Sequence, residues 1–166
     1  MNYEKLFSQL KRHEGLRLCA YKCPAGYWTV GYGRNLETNG LSDTECFLIF
    51  RKSLSNKAAI EALKEKPLTG GQADMLLTND VSNVEENCYR VFDFRGHNDA
   101  RRAAIINMVF QMGMGGVLAF KNTIRAFESH DYAWCAKEML DSKWFKKDSP
   151  GRAQELSDQM FSGEWQ

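Results

Sequence analysis

Between Leu10 and Leu16 the spacing of apolar residues changes from that of a helix to that of a strand. No other feature of the chain constrains its fold as tightly. Tyr3, Leu6, Phe7 and Leu10 recur at helical intervals, which predicts a short amphipathic helix ending near Glu14-Gly15. Leu16, Leu18 and Ala20 then alternate with Arg17, Cys19 and Tyr21, the period of a half-buried strand. Pro24 and Gly26 mark a turn, and the proline biases Cys23 before it toward extended backbone. Residues 27–33 read as the returning strand. The result is a hairpin with a carboxylic acid at its entrance (Glu14), a thiol at its turn (Cys23) and a hydroxyl on its return strand (Thr29). Folding it is expected to bring these three groups to one wall of a cleft.

The rest of the chain reads as helices. Asn39-Gly40 marks a further turn. Ser42-Asp43-Thr44-Glu45 is a capping box, from which a helix is expected to run to about Lys64, short of Pro67. Thr69-Gly70-Gly71-Gln72 repeats the capping logic ahead of a long helix. Ile105, Met108, Val109 and Met112 form a core stripe on another helix, capped by Asn98 or Asp99 and ended by Gly113, with residues 113–116 as a loop. Residues 117–127, 132–140 and 150–161 complete a helical second half, with Pro150 suited to a first turn. The expected class is mostly helical α+β with a small antiparallel sheet.

The bulk numbers exclude more than they assert. The 166 residues suffice for one domain, or one domain with two lobes, around a real core. A net charge of +1, with both signs mixed along the chain, gives no strong field toward nucleic acid or a membrane. Arg51-Lys52, Arg101-Arg102 and residues 143–147 are local basic groups, read more simply as solvated helix surface. No apolar run approaches the roughly 20 residues that span a bilayer. The first residues lack an apolar stretch behind a basic tip, so the expectation is a soluble cytoplasmic chain. The five cysteines, Cys19, Cys23, Cys46, Cys88 and Cys135, are odd in number and scattered, which argues against a disulfide framework. Cys19 and Cys23 have a C-x3-C spacing with no second ligand pair at a zinc-like interval, so no metal and no cofactor is expected. The other three are read as small buried apolar residues.

Each residue of the hairpin trio has an ordinary reading. Glu14 could be a solvated carboxylate at a helix end, Thr29 a common β-branched strand residue, and Cys23 a passive turn residue. The chemical reading is cleavage of a glycosidic bond. That reaction needs a protonated acid shielded from water and, for an inverting enzyme, a second group to activate water on the opposite face. Tyr and Trp neighbours could shield Glu14. A thiol is a poor base unless ionised, and Lys22, Arg34 or Arg152 could favour the thiolate. Cys23 could instead be a covalent nucleophile with retention of configuration, or a bystander. Thr29 could hold the attacking water.

Glu14, eight residues, Cys23, five residues and Thr29 together resemble the Glu–Asp/Cys–Thr triad of phage endolysins of the T4 lysozyme family, glycoside hydrolase family 24. Glu14-Gly15-Leu16-Arg17-Leu18 and residues 26–33 follow the family patterns E-G-x-R-L and G-x-x-T-x-G-x-G. Residues 101–113, Ser142-Lys143-Trp144 and 150–153 are similar to later family segments, so the resemblance covers nearly the whole chain.

It implies a two-lobed lysozyme-like fold: a helix over residues 1–14 packed on the C-lobe, an N-lobe at 15–68 with the hairpin, an inter-lobe helix at 69–89, and a helical C-lobe at 90–166. The implied substrate is the peptidoglycan of the bacterial wall, cut at the β-1,4 bond from N-acetylmuramic acid to N-acetylglucosamine. Glu14 would be the general acid and Thr29 would position water. Arg152 would pair with Glu14, and Phe110 and Thr123 would contact sugar. The type member of the family carries Asp at the position of Cys23, His at that of Arg34 and Asn at that of Glu138. An ion pair of Asp80 with residue 34 would therefore become Asp80–Arg34. The segment between Arg34 and Asp80 is longer here. The implied setting is a monomer kept in the host cytoplasm until a holin opens the inner membrane, then acting at the wall. A non-catalytic peptidoglycan binder, a lytic transglycosylase and a phage-tail module are the rival readings.

Overall fold

The computed structural model describes all 166 residues. Helix α1, Tyr3–Glu14, stops where expected, because Gly15 takes a left-handed conformation (φ 68°) and its N–H closes on the Lys11 carbonyl at 3.1 Å. Strands β1, Arg17–Lys22, and β2, Trp28–Gly31, pair antiparallel, with Tyr21 opposite Thr29 and Lys22 opposite Trp28. The register is irregular between Arg17 and Tyr21. The return strand is shorter than residues 27–33. Gly31 and Gly33 both have positive φ, 67° and 98°, and turn the chain into a third strand, β3, Arg34–Asn35, which pairs with β2.

Three expected helices come out differently. The capping box at Ser42 is present in full and starts helix α2, Asp43–Phe50, but this helix does not continue to Lys64. Arg51 takes a left-handed conformation (φ 61°) that ends it, and Ser55 caps a separate helix α3, Asn56–Glu65. Helix α4, Gly70–Val91, starts with Thr69 and Gln72 exchanging side-chain and backbone hydrogen bonds of 2.9 and 3.2 Å. Helix α5, Asp99–Leu118, is capped by Asn98. It kinks at Gly113 (φ 73°, ψ 164°) and resumes, so residues 114–118 are helical rather than loop. The next helix, α6, Lys121–Glu128, begins after a break rather than at Val117. Helices α7, Tyr132–Leu140, and α8, Pro150–Ser162, lie where the pattern put them. A π-helical turn at Trp144–Asp148 precedes α8 and was not legible in advance.

The chain forms two compact units, Lys11–Ser82 and Met1–Leu10 with Asn83–Gln166. In the first, Val30 and Leu36 of the sheet region pack with Ile49, Ile60, Leu63, Leu68, Ala73 and Leu76 from three helices and the approach to α4. At roughly 1.5–3 kcal/mol per buried aliphatic side chain, this cluster is enough to hold a small sheet in one register.

The second unit is all helical. Residues 103–109 of α5 are buried without interruption, so that helix is enclosed on every side. Leu6 and Leu10 bring the start of α1 into this core. Several of its buried polar groups match one another: Gln9 donates to Gln159 and Glu155, Gln159 to the Ala100 carbonyl, and Arg152 to Asn107, while the Arg102 Nε is buried without a partner. A ring stack closes one end. His97 lies between Phe127 and His130 at centroid distances of 3.8 and 4.2 Å, and the Tyr132 hydroxyl meets the Nδ1 of both imidazoles. Burial and the nearby His130 push the His97 pKa down to about 4. No single helix of the chain is long and apolar enough to cross a membrane.

Candidate active site

Glu14, Cys23 and Thr29 all belong to the Lys11–Ser82 unit. Glu14 is the last residue of α1 and is half-buried. Gly33 lies beside it: a Cβ on that glycine would stand 3.7 Å from the Glu14 Oε2. The glycine meets the backbone demand of its turn, at van der Waals distance from the carboxyl. Cys23 sits in the hairpin turn, where its N–H donates to the Tyr27 carbonyl at 2.9 Å and its carbonyl accepts from the Gly26 N–H at 2.8 Å.

The thiol is half-buried and free. Desolvation raises its pKa, but hydrogen bonds from the backbone of Tyr27, Ala25 and Gly26 and from the Thr29 side chain outweigh that, and the net shift is downward. The turn is thus an environment that favours thiolate. Lys22, one of the cations considered for that role, instead lies over the Trp28 ring at 5.6 Å.

Thr29 is 4% exposed, and its hydroxyl donates to the Tyr27 carbonyl at 3.1 Å. With its single proton engaged there, the oxygen offers lone pairs, which suits it to accept a hydrogen bond from a water. When the thiol ionises, the same proton has a second acceptor in the sulfur.

Behind the hairpin, Arg34 is buried at 6% exposure with every nitrogen occupied. Its Nε donates to both Asp80 oxygens at 2.7 and 2.9 Å. Nη1 donates to the Gly40 carbonyl and Glu45, and Nη2 to Glu45 and the Leu76 carbonyl, at 3.0–3.2 Å. The Arg34–Asp80 pair is therefore present, and Glu45 completes it. Glu45 was read from the sequence only as a capping residue, and its carboxylate does both, accepting from the Ser42 N–H and from Asn79 as well.

Two acids share one cation here. Burial would raise the Glu45 pKa, but its donors from Arg34, Asn79 and Ser42 bring it down to about 2. Asp80, served by one guanidinium nitrogen, is raised by burial and by the neighbouring Glu45 charge. Glu45 is the firm anion, and Asp80 is the first of the two to protonate on acidification.

Phe110, Thr123 and Arg152 belong to the other unit. Phe110 is half-buried on α5. Thr123 lines an open pocket of about 790 Å³ together with Gln111, Asn122, Glu138, Lys143 and Trp144. Glu138 is held there by the Trp134 indole N–H and the Asn122 amide, each at 3.0 Å, and the Trp144 indole donates to Gln111. Arg152 donates through Nε to the Asn107 Oδ1 at 2.8 Å and through Nη2 to its carbonyl at 3.3 Å. An Asn inside a helix stripe, as at Asn107, gives no sequence signal of a buried partner. No group of three or more His, Cys, Asp or Glu side chains is placed to hold a metal ion.

The phage lysozyme family pattern matches residues 11–158. The chain is 33% identical over 139 residues to the probable T4-type lysozyme 1 of Dictyostelium discoideum, covering 81% of each protein. It is 28% identical over 165 residues to the pre-baseplate central spike protein Gp5 of Enterobacteria phage T4, a match that covers 93% of this chain and 27% of that protein. Over 77 residues it is 36% identical to an endolysin of Acyrthosiphon pisum secondary endosymbiont phage 1, covering 44% of this chain and 53% of that one.

Proposed function

The chain belongs to the phage lysozyme family, and on that premise we propose that it is a muramidase cutting the β-1,4 bond from N-acetylmuramic acid to N-acetylglucosamine in peptidoglycan. The observation that supports this reading is the meeting of the Cys23 thiol and the Thr29 hydroxyl at a turn that favours the thiol's anion, with Glu14 ending α1 just before that hairpin in the same unit. Glu14 gives its proton to the leaving glycosidic oxygen as the bond to the anomeric carbon breaks. A water accepted by Thr29 forms the new bond at that carbon, and its proton passes to the Cys23 thiolate. Phe110 and Thr123 contact sugar. Arg34, Asp80 and Glu45 hold the sheet from behind and take no part in the chemistry.

The biological setting we infer is lysis of a bacterial host at the end of phage infection. The protein would wait as a monomer in the host cytoplasm until a holin opens the inner membrane, and then work at the wall.

Digestion of purified peptidoglycan, with masses of the released fragments, tests the chemistry. Hydrated N-acetylmuramic ends are expected. Anhydro ends would make the protein a transglycosylase instead, and absence of release would make it a binder.

A further inference from the structure

The two faces of β1 have different destinations. Leu18 and Ala20, with Trp28 from β2, pack against the core of their unit. Tyr21 lies on the other face, because successive strand residues alternate. It stands directly opposite Thr29 in the ladder, and cross-strand partners share a face with their Cβ atoms roughly 5 Å apart. Thr29 in turn meets the Cys23 thiol. An aromatic ring with no role in the mechanism above therefore adjoins the two groups that handle water in it. That ring is half-buried, and Arg17 braces it, with the guanidinium carbon 4.4 Å from the centroid. Its hydroxyl makes no hydrogen bond within the protein and is not buried, whereas those of Tyr3 and Tyr132 are engaged by Glu85 and by the two imidazoles.

We propose that Tyr21 is a substrate contact of this site: its ring stacks on the muramic acid ring that receives the water, and its hydroxyl hydrogen-bonds that sugar's polar substituents. The proposal rests on the muramidase reading and adds to it a sugar contact next to the reacting atoms. A pyranose presents C–H bonds on its faces and hydroxyls around its rim, so a fixed aromatic ring with an idle hydroxyl matches both. In the mechanism above, water reaches the anomeric carbon from the side opposite the leaving oxygen. In a β-linked sugar of this configuration, that side carries the axial C–H of the anomeric carbon and two more axial C–H bonds on the same face. The side chain beside the water-holding threonine thus meets an apolar surface. Arg17 acts through Tyr21, since a planar guanidinium laid on the ring limits the positions the ring can take.

The test separates contact from cleavage. In a Glu14→Gln background, which leaves the glycan uncut, calorimetry measures binding of a tetrasaccharide of alternating N-acetylglucosamine and N-acetylmuramic acid. Tyr21→Leu should weaken binding by roughly tenfold. Tyr21→Phe, which keeps the stacking face and loses the hydroxyl, should weaken it by roughly threefold. Arg17→Met should have a smaller effect than Tyr21→Leu and add nothing to it in the double variant, because it acts only through the ring. A purely structural role would not bring sugar to the ring, so the same background is also labelled with carbon-13 in its tyrosine rings. The signal assigned to Tyr21 by its loss in Tyr21→Phe should shift as the tetrasaccharide is added. Unchanged affinity in Tyr21→Leu, or a Tyr21 signal that the sugar does not move, would overturn the proposal, and the muramidase reading would still stand if the native protein cuts peptidoglycan. Absence of both binding and cutting would overturn the two together.

Discussion

The hairpin tip and the Arg34 centre belong to the same unit and treat polar groups in opposite ways. Around Arg34 every donor has its acceptor, the guanidinium is out of water, and Gly40, Glu45, Leu76 and Asp80 are fixed to one another through it. At the hairpin, Cys23 in the turn and Glu14 at its entrance are half-exposed, and Thr29 presents lone pairs. The difference separates two tasks. A saturated network fixes the backbone and has nothing left to offer a substrate, whereas reactive groups must keep part of their valence unspent. The proposed chemistry sits where the groups are partly exposed, and stability sits where the network is buried and complete.

The largest expected effect on that contrast comes from removing its saturated side. Arg34→Ala leaves Glu45 and Asp80 buried without their cation and should cost about 3–5 kcal/mol, read as a fall in urea midpoint with unchanged slope. Activity should be lost along with folded protein, not ahead of it. A midpoint equal to the native one would mean that the network holds nothing. On the reactive side, Cys23→Ala should lower the rate of wall cleavage by about 100-fold, with little change in the urea midpoint, and Cys23→Asp should keep much of the rate. Full activity in the Ala variant would remove the thiol from the mechanism.

A third contrast lies between the Arg34 centre and the ring stack of the other unit, and pH separates them. The His97 pKa is depressed in the folded state, so the unfolded chain binds the extra proton more readily. The stack's contribution is then complete above about pH 6.5 and lost as pH falls toward about 4, a change on the order of 1–3 kcal/mol. Glu45, depressed as an acid, contributes above its ordinary value near 4.5 and loses that contribution only as pH falls toward about 2. Amide exchange across this range should show the 83–166 region loosening before the centre around Arg34, and His97→Phe should remove the earlier step. Simultaneous loosening, or an earlier step retained in that variant, would contradict the assignment. The smallest effect expected is about 1 kcal/mol for Asn98→Ala, which deletes the cap of α5, measured as a small drop in melting temperature. No drop would mean that the cap contributes nothing to stability.

Local signals made much of this legible. Ser42 with Glu45, Thr69 with Gln72, Asn98 and Pro150 each start a helix through chemistry written within four residues, and Gly15 ends one. Glu14, Cys23 and Thr29 could be read together because they lie within 16 positions of each other, at the end of α1 and along the hairpin that follows. What escaped depends on distant partners or on conformations the residue type does not announce. Arg51 adopts a left-handed turn with no glycine to advertise it, which hid the break before α3. Glu45 serves a cap and a buried arginine at once, and only the first role is local. Gln9, Asn107 and Gln159 look like surface polar residues until the helical unit closes over them. Neither the packing of Arg17 on the Tyr21 ring nor the irregular ladder between them follows from a spacing rule.

The central claim, that the half-exposed hairpin groups do the cutting and contribute little to folding, is tested most directly with Glu14→Gln. Release of reducing ends from purified peptidoglycan and the urea midpoint should be measured on the same preparation. The account predicts a rate lower by roughly 10²–10⁴-fold with the midpoint unchanged. Undiminished release, or a loss of activity matched by a loss of stability, would contradict it.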